Sequence, residues 1–176
     1  MTNFKEFETK RLVLKHISMT DREFIYKQFS NEQVNRYLFD AEPTATMKEA
    51  EKIIEFYTQP EPRLWQRWIM IEKETGLPVG TCGFHNWSPN EKVCEIGYDV
   101  NPEFWRKGYA KEAIEKLLDF AKNEMKVTTV RACIYPENQA SVGIAEKFGF
   151  TFNGKVKEEI FRGKSYLHKI FELNME

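Results

Sequence analysis

The sequence predicts an α+β fold: one domain on a central mixed, mostly antiparallel twisted sheet with helices on both faces. Three observations carry that prediction. The 176 residues run without a linker, repeat or low-complexity tract, which fits a single compact core over 1–176. Between residues 65 and 100, Thr75-Gly76 and Ser88-Pro-Asn-Glu91 are turn signals separating three consecutive strand-like segments, an antiparallel meander. Residues 93–134 then read strand, amphipathic helix, strand, and a crossover of that length joins parallel neighbours.

In chain order, Arg11-Leu-Val-Leu-Lys-His-Ile17 alternates well enough to be a first strand. Thr20-Asp-Arg-Glu23 has capping-box spacing, and Phe24, Ile25 and Phe29 form the inner face of the helix it would start. Asn31 is placed to cap a further turn through Leu38; after a loop with Pro43, Thr46-Met-Lys-Glu49 caps a second helix to about Tyr57. Gln59-Pro-Glu-Pro62 ends it. Strands follow over 65–72, 77–87 and 93–100. The helix over 108–122 carries Ala110, Ala113, Ile114, Leu117, Leu118 and Ala121 on one stripe. Thr128–Ile134 is rich in β-branched residues. Asn138 caps a last helix, and Gly149 suits the left-handed position at its end. Two closing strands, 151–161 and 165–174, flank an Arg162-Gly163 turn.

Composition excludes several classes. Net charge is −1 with both signs interspersed, so no nucleic-acid face is implied. The apolar runs are too short to cross a bilayer, and MTNFKEFETKRLVLK has no apolar secretory core, so a cytoplasmic location is the default expectation. Cys82, Cys94 and Cys133 lack CxxC spacing and read as reduced core residues. With His16, His85 and His168 scattered, no metal site is expected.

The most informative segment is the join between the 93–100 strand and the following helix, Trp105-Arg106-Lys107-Gly108-Tyr109-Ala110. First-turn N–H groups of a helix have no internal partners and lie at the positive end of its dipole. Gly108 lets backbone approach an anion closely, while Arg106, Lys107 and Lys111 supply charge around it. This is the chemistry of a pyrophosphate cradle, although neither a P-loop nor a GxGxxG pattern is present.

With its flanking strand and helix, the segment resembles motif A of the GCN5-related N-acetyltransferases (GNAT), Gln/Arg-x-x-Gly-x-Gly/Ala. Gly108 and Ala110 match its last two positions; Trp105 stands where Gln or Arg is usual, which removes one polar side chain. The element order matches that fold over about residues 10–172, and three segments resemble its ribosomal-protein N-terminal acetyltransferase (Rim) branch: Thr9-Lys-Arg-Leu-Val-Leu, Glu95-Ile-Gly-Tyr, and Asn138-Gln-Ala-Ser141 with Glu146-Lys-Phe-Gly-Phe150. The resemblance implies acetyl-CoA as donor, its pyrophosphate on the amides of Arg106 to Ala110. It implies that the strands ending at Val100 and Ile134 splay apart around the pantetheine arm, whose amide pairs with the open strand edge. The thioester carbonyl would lie near the Tyr98–Val100 backbone, whose N–H stabilises an oxyanion.

Direct attack by an amine needs an acceptor for its proton and a proton for the leaving thiolate. Glu95 is the base candidate, with Asp99 second and a water chain as an alternative; strand alternation puts both acids on the face of Gly97. A solvent-facing or cross-strand-paired carboxylate accounts for Glu95 equally well. Ser141 is the residue that the resemblance places near the CoA sulfur, ahead of Tyr135, and Asn138 matches a residue contacting pantetheine or holding the helix start. Tyr37, Phe39, Trp65, Trp87, Phe161 and Tyr166 would give the acceptor pocket aromatic character, and Glu42, Glu91 and Glu158 are candidates to attract a cationic amine. The Rim resemblance makes a protein or peptide N-terminal amine the first expected acceptor and a polyamine, amino acid or aminoglycoside-like amine the second. A non-catalytic CoA-binding sensor or scaffold and a nucleotide-binding module are the alternatives of other classes. Dimers are common in this family, and the sequence leaves monomer and homodimer open.

Overall fold

The computed structural model describes residues 4–175, so residues 1–3 and 176 of the expected 1–176 domain lie outside it. Its elements are β1 (Phe7–Glu8), β2 (Leu12–His16), α1 (Arg22–Ser30), α2 (Glu32–Asn35), α3 (Met47–Tyr57), β3 (Gln66–Glu72), β4 (Pro78–Ser88), β5 (Val93–Val100), α4 (Tyr109–Asn123), β6 (Thr129–Ile134), α5 (Gln139–Lys147), β7 (Thr151–Phe161) and β8 (Lys164–Asn174). All eight strands join one sheet in the order β1-β2-β3-β4-β5-β6-β8-β7. Only β5 and β6 run parallel, as the crossover through α4 requires. This is the expected mixed, mostly antiparallel α+β sheet.

Helices cover both faces. Consecutive residues of β3 point to opposite sides, so Trp68 and Met70 join one core and Ile69 the other. On the first side, Ala113, Ile114, Leu117 and Ala121 of α4 share a buried cluster with Leu12, Leu14, Trp68 and Phe84. Leu117 is fully buried there, and truncation to Ala would cost about 2–5 kcal/mol. On the second side, Ile25 of α1 and Ala50 and Ile54 of α3 pack with Ile17 and Ile69.

Local signals set most boundaries. The Asn31 side chain accepts from the N–H groups of Gln33 and Val34, and Thr46 accepts from the N–H of Glu49. Gly149 closes α5 with φ of 86°. The expected Thr20–Glu23 box is corrected: Asp21 instead accepts from the N–H and hydroxyl of Ser18, and Met19–Asp21 form a 3-10 turn before α1. Strand β1 was not expected, because two residues carry no periodicity to read.

Candidate active site

Two strands part in the middle of the sheet. β5 and β6 pair through Val93↔Thr129, Cys94↔Val130 and Glu95↔Arg131 only. Beyond Glu95, β5 stays with β4 as far as Gly80↔Val100, while Ala132–Ile134 pair with β8. A fork therefore opens above Glu95. The Asn101 N–H donates to the Val79 carbonyl, and a Cβ on Gly80 would collide with the Asp99 carbonyl. By alternation, the main-chain groups of Gly97 and Asp99 serve β4, and those of Tyr98 and Val100 face the fork. Val100 does so visibly: its carbonyl accepts from the Trp105 indole N–H at 2.7 Å. The indole N–H is thus engaged within the chain, at the lip of the fork.

The cradle sits at the open end of the fork. Arg106 and Gly108 have φ of 62° and 82°, and Gly108 is the N-cap of α4 without a side-chain cap, so the first-turn amides are open to an anion. The acid in that turn, Glu112, does not compete with an anion. It accepts from the Thr9 hydroxyl and the Arg11 N–H, both at 2.6 Å, and from Arg11 Nε at 2.7 Å. Arg11 also donates to the Lys107 carbonyl at 2.8 Å, tying the loop to the start of β2. Arg106, Lys107 and Lys111 are exposed around the loop. Tyr109 contributes only backbone, because its buried ring turns inward and its hydroxyl bonds Glu72. Ala110 is likewise buried.

The fork opens into a cavity of about 570 Å³ whose lining includes Glu95, Tyr98, His85, Tyr135, Asn138 and Ser141. Glu95, Tyr98, Tyr135, Asn138 and Ser141, all expected from the sequence, therefore converge. The Asn138 side chain caps α5 by accepting from the Ser141 N–H at 3.2 Å, which is its helix-start role. The Tyr98 hydroxyl is buried without a well-formed hydrogen bond among the described residues. Burial raises its pKa and so disfavours the phenolate, and Ser141 opposes that shift from the α5 side. Burial likewise raises the Tyr135 hydroxyl. Glu95 makes no side-chain hydrogen bond or ion pair among the described residues and is half-buried in the cavity wall.

Asp99, the second base candidate, is engaged by its neighbours where Glu95, among the described residues, is not. The Asp99 oxygens accept from Gln28 Nε2 at 2.7 Å, Arg67 Nη1 at 3.1 Å and the Thr81 hydroxyl. Burial pushes its carboxyl above the usual range although Arg67 and these donors oppose it. Asp99 lines the cavity with both carboxylate oxygens engaged.

His85, which the sequence reading passed over, faces Glu95 directly in the β4–β5 register. Burial, with Arg67 nearby, lowers its pKa to about 4, so the ring is neutral at pH 7. Tyr57 joins this ring to Arg67: its oxygen accepts from Arg67 Nη2 at 3.2 Å and stands 3.3 Å from His85 Nε2. With the Tyr57 proton directed to that nitrogen, the neutral ring carries its own proton on Nδ1. Period-two counting identifies a face of β5 but not its opposite residue on β4, so no sequence signal pointed to His85.

The acidic and aromatic expectations are partly corrected. Glu42 is committed to Arg162 at 2.7 Å and Glu158 to the Ser165 hydroxyl, and Glu91 does not line the cavity. Tyr37 and Phe39 do line it, and Phe39 packs on Phe161 and Tyr166. Trp87 is core, and Trp65 does not line the cavity itself but stacks on Phe56, which does. Cys82 and Cys94 are buried free thiols; burial pushes Cys94 up to about 12, and Cys133, which lines the cavity, to about 11.

Residues 11–151 match the model of the acetyltransferase (GNAT) domain. The chain is 30% identical over 172 residues to the uncharacterized N-acetyltransferase YoaA of Bacillus subtilis, covering 97% of each. Two solved structures from Vibrio cholerae share the fold. One is spermidine N-acetyltransferase in complex with CoA and spermine, with a TM-score of 0.81, 21% identity, and coverage of 93% of this chain and 95% of that one. The other is a candidate ribosomal-protein-serine acetyltransferase, with a TM-score of 0.78, 20% identity and 99% of both chains covered.

Proposed function

The chain belongs to the GNAT acetyltransferase family and is an acetyl-transferring enzyme; from that premise we propose that it acetylates a primary amine from acetyl-CoA by direct attack inside the β5–β6 fork. The observation carrying this reading is the parting of β5 and β6 immediately above Glu95. Acetyl-CoA supplies an activated thioester carbonyl. On this reading the amides from Arg106 to Ala110, with the charges of Lys107 and Lys111, hold its diphosphate. The main chain of Tyr98 and Val100 takes the pantetheine amide and the developing oxyanion.

Glu95, at the foot of the fork, takes the proton of the attacking nitrogen. Its freedom from other partners supports that role. Ser141, on the opposite wall with the Tyr98 hydroxyl, serves the leaving sulfur by hydrogen bonding, and Asn138 holds the start of α5 in place. Tyr135 lines the same wall as the second candidate.

Relatives act on more than one kind of amine. The Rim resemblance favours a peptide N-terminus, whereas the cavity favours a slender aliphatic amine, since the 36–46 connection crosses its mouth and Glu42 and Arg162 fasten it to the β7–β8 hairpin. We take the small amine first and the N-terminal amine second. The test is thiol release from acetyl-CoA with a panel of small amines and N-terminal peptides, alongside E95Q and S141A. E95Q is expected to lower kcat by about 10²–10⁴ while calorimetric CoA affinity stays unchanged. CoA binding with no transfer to any amine would instead indicate a sensor.

A further inference from the structure

The connection between α2 and α3 is a strap held at two points. The Phe39 ring lies flat on Tyr166 at 3.8 Å and 9° and also meets Tyr135 at 5.0 Å. Three residues on, Glu42 accepts from Arg162 Nε at 3.0 Å and Nη2 at 2.7 Å. Asp40 lies between these anchors, on the rim of the cavity. It forms no hydrogen bond or ion pair among the described residues, yet its charge reaches Arg67, His85 and Cys133 within the cavity wall.

Most acids around the cavity are matched: Asp99 by Arg67, Glu159 by Lys157 and Glu42 by Arg162. Asp40 and Glu95 form no ion pair among the described residues, and both line the same cavity, where Lys157, paired with Glu159, is the cation that also acts on Glu95. Lys52, exposed at the rim, pairs with neither. A single ammonium at Glu95 would leave Asp40 unserved. The rings of Tyr37, Phe39 and Tyr135 surround its end of the cavity, and aromatic faces attract cations.

We propose that Asp40 is a specificity residue that receives a second positive charge of the acceptor, so that the favoured substrate is a linear aliphatic amine with another cationic nitrogen along its chain. This rests on the reading that the cavity takes the acceptor. The strap delivers the carboxylate, and the Phe39 and Arg162 anchors fix where it stands.

The test compares kcat/KM for a linear diamine and a monoamine of matched length. The native enzyme is expected to prefer the diamine, and D40N to cut the diamine-to-monoamine ratio about fivefold, the scale of one exposed charge pair. Raising salt from about 0.05 to about 0.5 M should erode the ratio in the native enzyme. D40E should recover most of it, and E91Q, an acid away from the cavity, should leave it alone. An unchanged ratio in D40N overturns the proposal, as does an equal loss for both amines, which would put Asp40 at the reacting nitrogen. If neither amine is acetylated although acetyl-CoA binds, the acceptor-cavity reading falls first and this proposal with it.

Discussion

Arg11 meets Glu112 twice, through its main-chain N–H at 2.6 Å and its Nε at 2.7 Å, and from that hold its Nη1 reaches the Lys107 carbonyl. The first long strand thereby steadies the loop expected to carry the diphosphate, across about a hundred residues of sequence. Removing the guanidinium by R11M is expected to weaken CoA about tenfold by calorimetry, one hydrogen bond to a charged group being worth about 1.5–3 kcal/mol. The calorimetric Tm should fall by only a few degrees, although the guanidinium also lies over the Tyr109 ring at 4.7 Å.

The same pair has a pH signature. Burial would raise the Glu112 carboxyl, but Thr9 and Arg11 together outweigh it and hold it below its ordinary value. A depressed carboxyl contributes stability above its unfolded pKa of about 4.3 and loses it as pH falls through the folded value. E112Q should therefore be less stable than the native protein near neutrality, with the gap closing in acid denaturation curves below about pH 4.

His85 gives a second ramp at higher pH. With a folded pKa of about 4 against an ordinary value near 6.5, the unfolded chain binds the extra proton in between. Its contribution is present above about pH 6.5 and is lost progressively as pH falls toward 4, up to about 3 kcal/mol in all. H85N should flatten that part of the stability profile in denaturant titrations. Nitrogen-15 spectra of the native protein should show the proton on Nδ1 at neutral pH, and Y57F should disturb that tautomer.

Arg67 and Asp99 form an ion pair in which both side chains are largely buried. R67M leaves the carboxylate without its cation and is expected to cost about 3–5 kcal/mol. D99N should cost a similar amount, because it leaves the Arg67 guanidinium buried without its anion. The double variant R67M/D99N should recover much of the loss in calorimetric Tm.

Trp105 is 47% exposed with its indole N–H on the Val100 carbonyl, at the lip of the fork. CoA titration should change tryptophan emission, and W105F should abolish most of that change, leaving Trp65, Trp68 and Trp87 silent.

Much of the architecture could be read from residue patterns. Period-two segments located the long strands, the Asn31 and Thr46 caps marked helix starts, and Gly108 marked the cradle. What could not be read were relations between segments remote in sequence. Glu95 was visible as an acid on a strand face, but its neighbour His85 depends on the β4–β5 register. Asp99 has the same local pattern as Glu95, and only the arrival of Gln28, Arg67 and Thr81 separates an engaged anion from a free one. Asp40 sits in a loop without periodicity, and its relevance arises because Phe39 and Glu42 find partners on the last hairpin. Thr9 and Arg11 carried a family pattern whose physical reason, Glu112, lies on α4.

The parallel seam of only three residue pairs between β5 and β6 also divides the sheet. Five strands lie on one side of it and three on the other, and beyond Glu95↔Arg131 no ladder joins the two sets, which share a core on one face. A guest strung along the gap would supply the missing rungs and join the two sets. Amide exchange should therefore slow on both banks of the seam together, far from the diphosphate end, when CoA is added.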